Sequence, residues 1–135
     1  MITNPVCGWC NFKIGDFTAT PSGYMTTVVP DLLDAFIDYY KKGYGMAVLD
    51  EEGSYVTLVL NRLGIYLIVE RDRTFLLDYS ELDKNFLARG LIKDVESDFD
   101  NWVDFTEEEG GDQFASVHIY NKICELRELI GRKTL

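Results

Sequence analysis

Four short apolar runs stand close together in the middle of this 135-residue chain, and their spacing constrains the fold more than any other feature. Gly45–Asp50, Tyr55–Asn61, Ile65–Glu70 and Thr74–Tyr79 are apolar and β-branched segments of strand length. Asp50-Glu51-Glu52-Gly53-Ser54 joins the first two as a hairpin loop containing glycine, and Arg71-Asp72-Arg73 joins the last two. Parallel pairing needs crossovers of about a dozen residues or more, so links this short predict antiparallel neighbours. Val56, Leu58 and Leu60 share one face of their strand, whereas Tyr55, Thr57, Val59 and Asn61 share a face that is only partly apolar. One side of the sheet is expected to carry helices and the other to meet solvent in part.

The flanking segments supply the rest. Cys10 to Thr20 alternates loosely and reads as one strand with a bulge at Gly15, followed by a turn at Thr20-Pro21-Ser22-Gly23. Pro30 and Asp31 open a helix whose buried face is Leu32, Leu33, Phe36, Ile37 and Tyr40, and Gly43 ends it. Beyond Ser80, Gly90 divides the helical pattern, predicting a short helix over Asp83–Arg89 and a longer one over Leu91–Phe105. Glu107 to Asp112 reads as a loop containing Gly110-Gly111. A last helix from Gln113 to Ile130 is expected to bury Phe114, Val117, Tyr120, Ile123, Leu126, Leu129 and Ile130, with Gly131 ending it. No repeat or linker interrupts the chain. The expectation is a single α+β domain over residues 1–135: an antiparallel β-meander sheet of about five strands, with helices packed mainly on one face.

Charge narrows the partners. Acidic residues number 23 against 13 basic, a formal net charge of −10. Nucleic-acid binding needs clustered Lys and Arg to displace counterions, and the only adjacent basic pairs are Lys41-Lys42 and Arg132-Lys133. Direct binding to nucleic acid or to an anionic membrane is not expected; a basic protein partner is. Asp94, Glu96, Asp98, Asp100, Asp104, Glu107, Glu108, Glu109 and Asp112 follow one another with no Lys or Arg between Lys93 and Lys122. These nine carboxylates are the candidate partner-binding residues, set against the alternative of a solvated acidic face. No apolar stretch approaches the roughly 18–20 residues that span a bilayer. Met1-Ile2-Thr3-Asn4-Pro5 has no basic region of a signal peptide, so a cytoplasmic protein is expected.

No motif carries catalysis. Cys7-Gly8-Trp9-Cys10 has dithiol spacing, but a thioredoxin-like pair needs a helix after it, and here a strand follows. A Cys₃His zinc site would have to recruit Cys7, Cys10, Cys124 and His118, the last two about 240° apart around one helix. The alternative reading makes Cys124 a buried small apolar residue and Cys7 and Cys10 reduced thiols of a mobile N-terminus. His118 joins no recognisable triad, and no phosphate-binding or calcium loop is in register. The expectation is a non-enzymatic protein without metal or cofactor.

A single α+β domain, no signal peptide, no catalytic motif and the unopposed stretch Asp94–Asp112 resemble the small acidic immunity proteins of bacterial polymorphic-toxin and contact-dependent growth inhibition systems. The resemblance is architectural and electrostatic, spans the whole chain and transfers no residue role. It implies a protein that neutralises a cognate toxin, typically a basic nuclease, by covering its phosphate-binding surface. Two alternatives remain open: a nucleic-acid mimic that inhibits a DNA- or RNA-binding protein, and a small metal- or thiol-dependent protein built on the Cys and His residues.

Overall fold

The computed structural model describes residues 1–23 and 27–133. Strands β1 (Ile2–Val6), β2 (Trp9–Ile14) and β3 (Phe17–Ala19) form one antiparallel sheet in chain order. Helix α1 (Val28–Lys42) leads to a second antiparallel sheet of β4 (Tyr44–Asp50), β5 (Tyr55–Asn61), β6 (Ile65–Glu70) and β7 (Thr74–Asp78), again in chain order. Helices α2 (Lys84–Glu96), α3 (Phe99–Gly110) and α4 (Ala115–Lys133) follow.

The fold is therefore α+β with two separate sheets, and the expected single five-stranded meander is corrected. The difference arises near the N-terminus. Gly15, at φ 56, turns the chain back so that Ile14 pairs with Phe17, making a hairpin where a single bulged strand was expected. Ile2–Val6 contains Pro5, which argues against a strand in a sheet centre. As an edge strand β1 tolerates it, because Pro5 falls where the register with β2 shifts, between Thr3 and Val6. Cys7 (φ 53) and Gly8 (φ 81) supply the left-handed backbone of a two-residue hairpin turn between β1 and β2.

The core lies between α1 and the inner face of the four-stranded sheet. Val28, Val29, Leu32, Leu33, Ala35, Phe36, Ile37 and Tyr40 are buried on α1. Leu49, Val56, Leu58, Leu60, Ile65, Leu67 and Val69 face them. The helix approaches β4 so closely that a Cβ on Gly45 would lie 1.9 Å from the Ala35 carbonyl oxygen. Gly43 caps α1 in the left-handed conformation, and its amide donates to the Tyr39 carbonyl at 2.8 Å. The outer face is open: Met46 and Leu76 are 63% and 62% exposed.

The helical boundaries also differ. Helix α2 runs straight through Gly90, because a glycine's helix penalty of about 1 kcal/mol is outweighed by burying Ala88, Leu91, Ile92 and Val95. The break falls at Ser97 and Asp98, whose short polar side chains compete for local bonds. Ser97 Oγ donates to the Asp94 carbonyl (3.1 Å), and Asn101 Nδ2 donates to Asp98 Oδ1 (2.7 Å). Glu107–Gly110 is the last part of α3, with Gly111 as its left-handed cap, where a loop was expected. Helix α4 buries Ala115, Ile119, Ile123, Leu126, Leu129 and Ile130 and continues past Gly131. Phe114, Val117 and Tyr120, expected in the core, are 64%, 53% and 61% exposed, since Ala115, Ile119 and Ile123 set the helix phase. Among the described residues no helix is long and apolar enough to cross a membrane.

Candidate functional site

The nine sequence-predicted carboxylates separate into groups with different environments. Asp94, on α2, holds the amino group of Met1 at 2.5 Å and the Ile2 amide at 3.2 Å. Glu96 accepts from Arg127 of α4 at 2.6 Å. Asp112 starts α4: its Oδ1 accepts the Phe114 amide at 2.9 Å, and its Oδ2 lies 2.9 Å from His118 Nδ1. The His118 hydrogen bond, followed by the Phe114 amide, holds the Asp112 carboxyl below the usual carboxylate range. Asp98 bonds to Asn101 at the start of α3. These four act in the architecture of the helix layer.

Asp100, Asp104, Glu107 and Glu108 form a different group. At 100° per residue they occupy an arc of about 100° on one side of α3. Trp102, Val103, Phe105 and Thr106 are buried on the other side, where Trp102 and Phe105 meet edge to face at 5.5 Å. Thr106 Oγ1 donates to the Trp102 carbonyl (2.9 Å), satisfying its hydroxyl inside the core. Among the described residues, no Lys or Arg pairs with any of the four carboxylates. The cations are engaged elsewhere: Lys41 with Glu125 and Lys122 with Asp34 tie α1 to α4, and Arg71 holds Glu51. Glu109 lies in the same turn of α3, with its side chain outside the described residues.

Two of the four carboxylates border a recess of about 260 Å³. Asp104, Glu108, Asn101 and Phe105 supply its α3 wall; Pro5, Val6, Cys7 and Gly8 of the β1–β2 turn supply the other. Val6 is 62% exposed at its mouth. A mainly polar lining with two carboxylates suits the charged head of a lysine or arginine. Sequence reasoning missed the Pro5–Gly8 wall, because its signal is a proline, which argues against a strand. It also missed the exposed Phe114, Val117 and Tyr120 on α4, which periodicity alone assigns to the core.

A second cleft, of about 640 Å³ between α2 and α4, has the opposite character. Arg89, Lys93 and Arg127 surround Ile92 and Ile130 there, with Glu96 paired to Arg127. Charge is thus segregated: cations gather between α2 and α4, and anions on the outer side of α3.

The cysteines and histidine are dispersed. Cys7 is exposed in the hairpin turn, Cys10 is buried in β2, and Cys124 is exposed on α4, which reverses the expected burial of Cys124. Burial pushes the Cys10 thiol up to about 12, leaving it a neutral, poor nucleophile. Among the described residues no group of three or more His, Cys, Asp or Glu side chains could hold a metal ion. Comparison with known protein families, with characterised proteins and with solved structures finds no match for this chain.

Proposed function

We propose that this protein binds a cationic protein through the outer side of α3, acting in the cytoplasm as an immunity protein that neutralises a cognate, basic, nuclease-type toxin. The observation that carries this reading is the set Asp100, Asp104, Glu107 and Glu108. They have no described cation and share one helix side, with Asp104 and Glu108 at a recess sized for a basic side chain.

The arrangement opposes stability, which favours a role outside the fold. Asp100/Asp104 and Asp104/Glu108 are like charges at i,i+4, and Glu107 and Glu108 stand at the negative end of the helix dipole. A nuclease surface that attracts phosphates presents the complementary field. Long-range attraction would speed encounter, and desolvated contacts in the recess would set residence time. Exposed Phe114, Val117 and Tyr120 offer apolar anchors of the kind that dominate interface energies.

The test is affinity capture from extract of the native cell, with wild-type protein and the quadruple variant Asp100→Asn, Asp104→Asn, Glu107→Gln, Glu108→Gln as baits. A basic protein encoded beside this gene, retained by wild type, released by the variant and inhibited as a nuclease on binding, is the expected result. Equal retention by both baits removes α3 from the interface. A captured protein without toxic activity removes the immunity role while leaving the binding surface in place.

A further inference from the structure

The outermost strand of the four-stranded sheet ends in a bare backbone edge. β7 pairs with β6 in unbroken register, Glu70 with Thr74 through Tyr66 with Asp78, and among the described residues no strand lies on its other side. Tyr79 donates its amide to the Ile65 carbonyl at 2.8 Å, which sets the alternation of the whole strand. Phe75 and Leu77 therefore turn their amides and carbonyls toward β6, while Thr74, Leu76 and Asp78 turn theirs outward. Natural edges are blunted by lysine, proline or a bulge, and Thr74-Phe75-Leu76-Leu77 contains none of these. Phe75 and Leu76 are 42% and 62% exposed.

We infer that β7 is a homodimerisation edge, pairing antiparallel with β7 of a second copy and joining two four-stranded sheets into one. The outward-facing residues are spaced symmetrically about Leu76. With Leu76 on the two-fold axis, Thr74 of each copy stands opposite Asp78 of the other, and every outward amide meets an outward carbonyl. The joint closes with about six backbone hydrogen bonds. Phe75 then lies across from Leu77 of the second copy, burying the apolar surface left at the edge.

Polar pairing selects a second copy in this register. The Thr74 hydroxyl can donate to the opposite Asp78 carboxylate on the same face, beside the Ser80 amide that this carboxylate accepts at 2.8 Å within its own copy. A slip that places residue 78 on the axis sets Asp78 against Asp78, which like-charge repulsion disfavours. The apolar row Val48–Thr57–Ile68–Leu76 on the outer face would continue across the axis into its copy. Helix α3 packs on α4 and β1, so this joint leaves the acidic side of α3 to a different partner. The edge is short, and the dimer is of the weak, reversible class.

Sedimentation of the full chain over a concentration series tests the inference. Wild type should move from monomer to twice the monomer mass as concentration rises. Leu76→Lys and Leu76→Glu, each placing like charges on the axis, should remain monomeric with an unchanged circular dichroism spectrum. An equimolar mixture of the two variants should recover the doubled mass, because an ammonium then meets a carboxylate on the axis. A wild type that is monomeric at every concentration overturns the proposal. So does a dimer that persists in both variants, or a mixture of folded variants that fails to pair.

Discussion

The Met1 amino group lies 2.5 Å from Asp94 Oδ2, and the same oxygen accepts the Ile2 amide at 3.2 Å. One carboxylate of α2 thus anchors the edge strand β1, whose Ile2 side chain is buried in the core. Replacing it by a neutral amide keeps a carbonyl acceptor but leaves the ammonium group without its counter-charge in a partly buried place. Asp94→Asn is expected to lower stability by about 1–3 kcal/mol, seen as a lower urea midpoint with an unchanged slope. Asp100→Asn, four residues before the exposed Asp104, should stay within about 0.5 kcal/mol of wild type. Equal effects of the two would refute the division of the acidic stretch into architectural and surface carboxylates.

The four outward carboxylates of α3 make the opposite prediction. Each like-charge pair at i,i+4 opposes the helix by a few tenths of a kcal/mol, and the charges at its C-terminal end add a similar amount. Asp100 stands in the first turn, where the dipole favours its charge, so the variant that keeps it, with Asp104→Asn, Glu107→Gln and Glu108→Gln, should gain about 1 kcal/mol at low ionic strength. The gain should shrink as salt screens the repulsion, which thermal melts at two ionic strengths would read. A loss of stability instead would mean that these side chains hold the fold together, and the binding surface would have to be sought elsewhere.

The parts of this fold that were legible are those in which local pattern and burial agree. Tyr55–Asn61 and Ile65–Glu70 fall on β5 and β6 as expected, because alternating apolar residues and short polar turns leave one solution. Helix α1 is equally well marked, by Leu32, Leu33, Phe36 and Ile37 within it and Gly43 after it. The misread segments involve choices made by tertiary packing. Pro5 excludes a central strand but not an edge, and Gly90 weakens a helix that burial sustains. Residues 114–130 contain two competing apolar stripes, and the one through Ala115, Ile119, Ile123, Leu126 and Ile130 is the longer and the one buried. For the site, the total charge was visible in the sequence. Which carboxylates would be taken up by Met1, Arg127 and His118 was not, since Met1 and Arg127 arrive from distant segments and the Asp112–His118 pair depends on the turn that precedes α4.

Gly45 measures how tightly α1 sits on the sheet. With the Ala35 carbonyl 1.9 Å from where a Cβ would be, any larger residue must push the helix away from β4. The obstacle is backbone inside a helix and cannot rotate aside. Gly45→Ala should cost at least about 1–3 kcal/mol, the range for overpacking a filled core, and should broaden the unfolding transition if the helix detaches early. Gly53→Ala offers the contrasting case. There the space is open but φ is 118, so only backbone strain opposes the substitution, and the loss should be smaller.

The three cysteines give a prediction about pH as well as access. Cys7 and Cys124 are exposed, whereas Cys10 is 1% exposed in β2, with its thiol pushed up to about 12 by burial. A thiol reagent should modify Cys7 and Cys124 quickly in the native protein and reach Cys10 only on unfolding, so the slow phase reports global opening. The sign of the linkage follows from the raised value. Below the ordinary thiol pKa of 9.0 both folded and unfolded states keep the proton, and Cys10 confers no pH dependence. Between about 9 and about 12 the unfolded state releases the proton while the folded state retains it, so stability falls as pH rises. Cys10→Ala removes the thiol's share of this alkaline loss while leaving a small cavity, and Cys7→Ser serves as the control for an exposed thiol. Urea midpoints for the three proteins at about pH 7 and about pH 10 separate these cases. Burial raises the Tyr40 phenol and the bond to Asp16 raises the Tyr79 phenol, each to about 12, so a smaller loss remains; a loss as large in Cys10→Ala as in wild type would assign the titration to those groups.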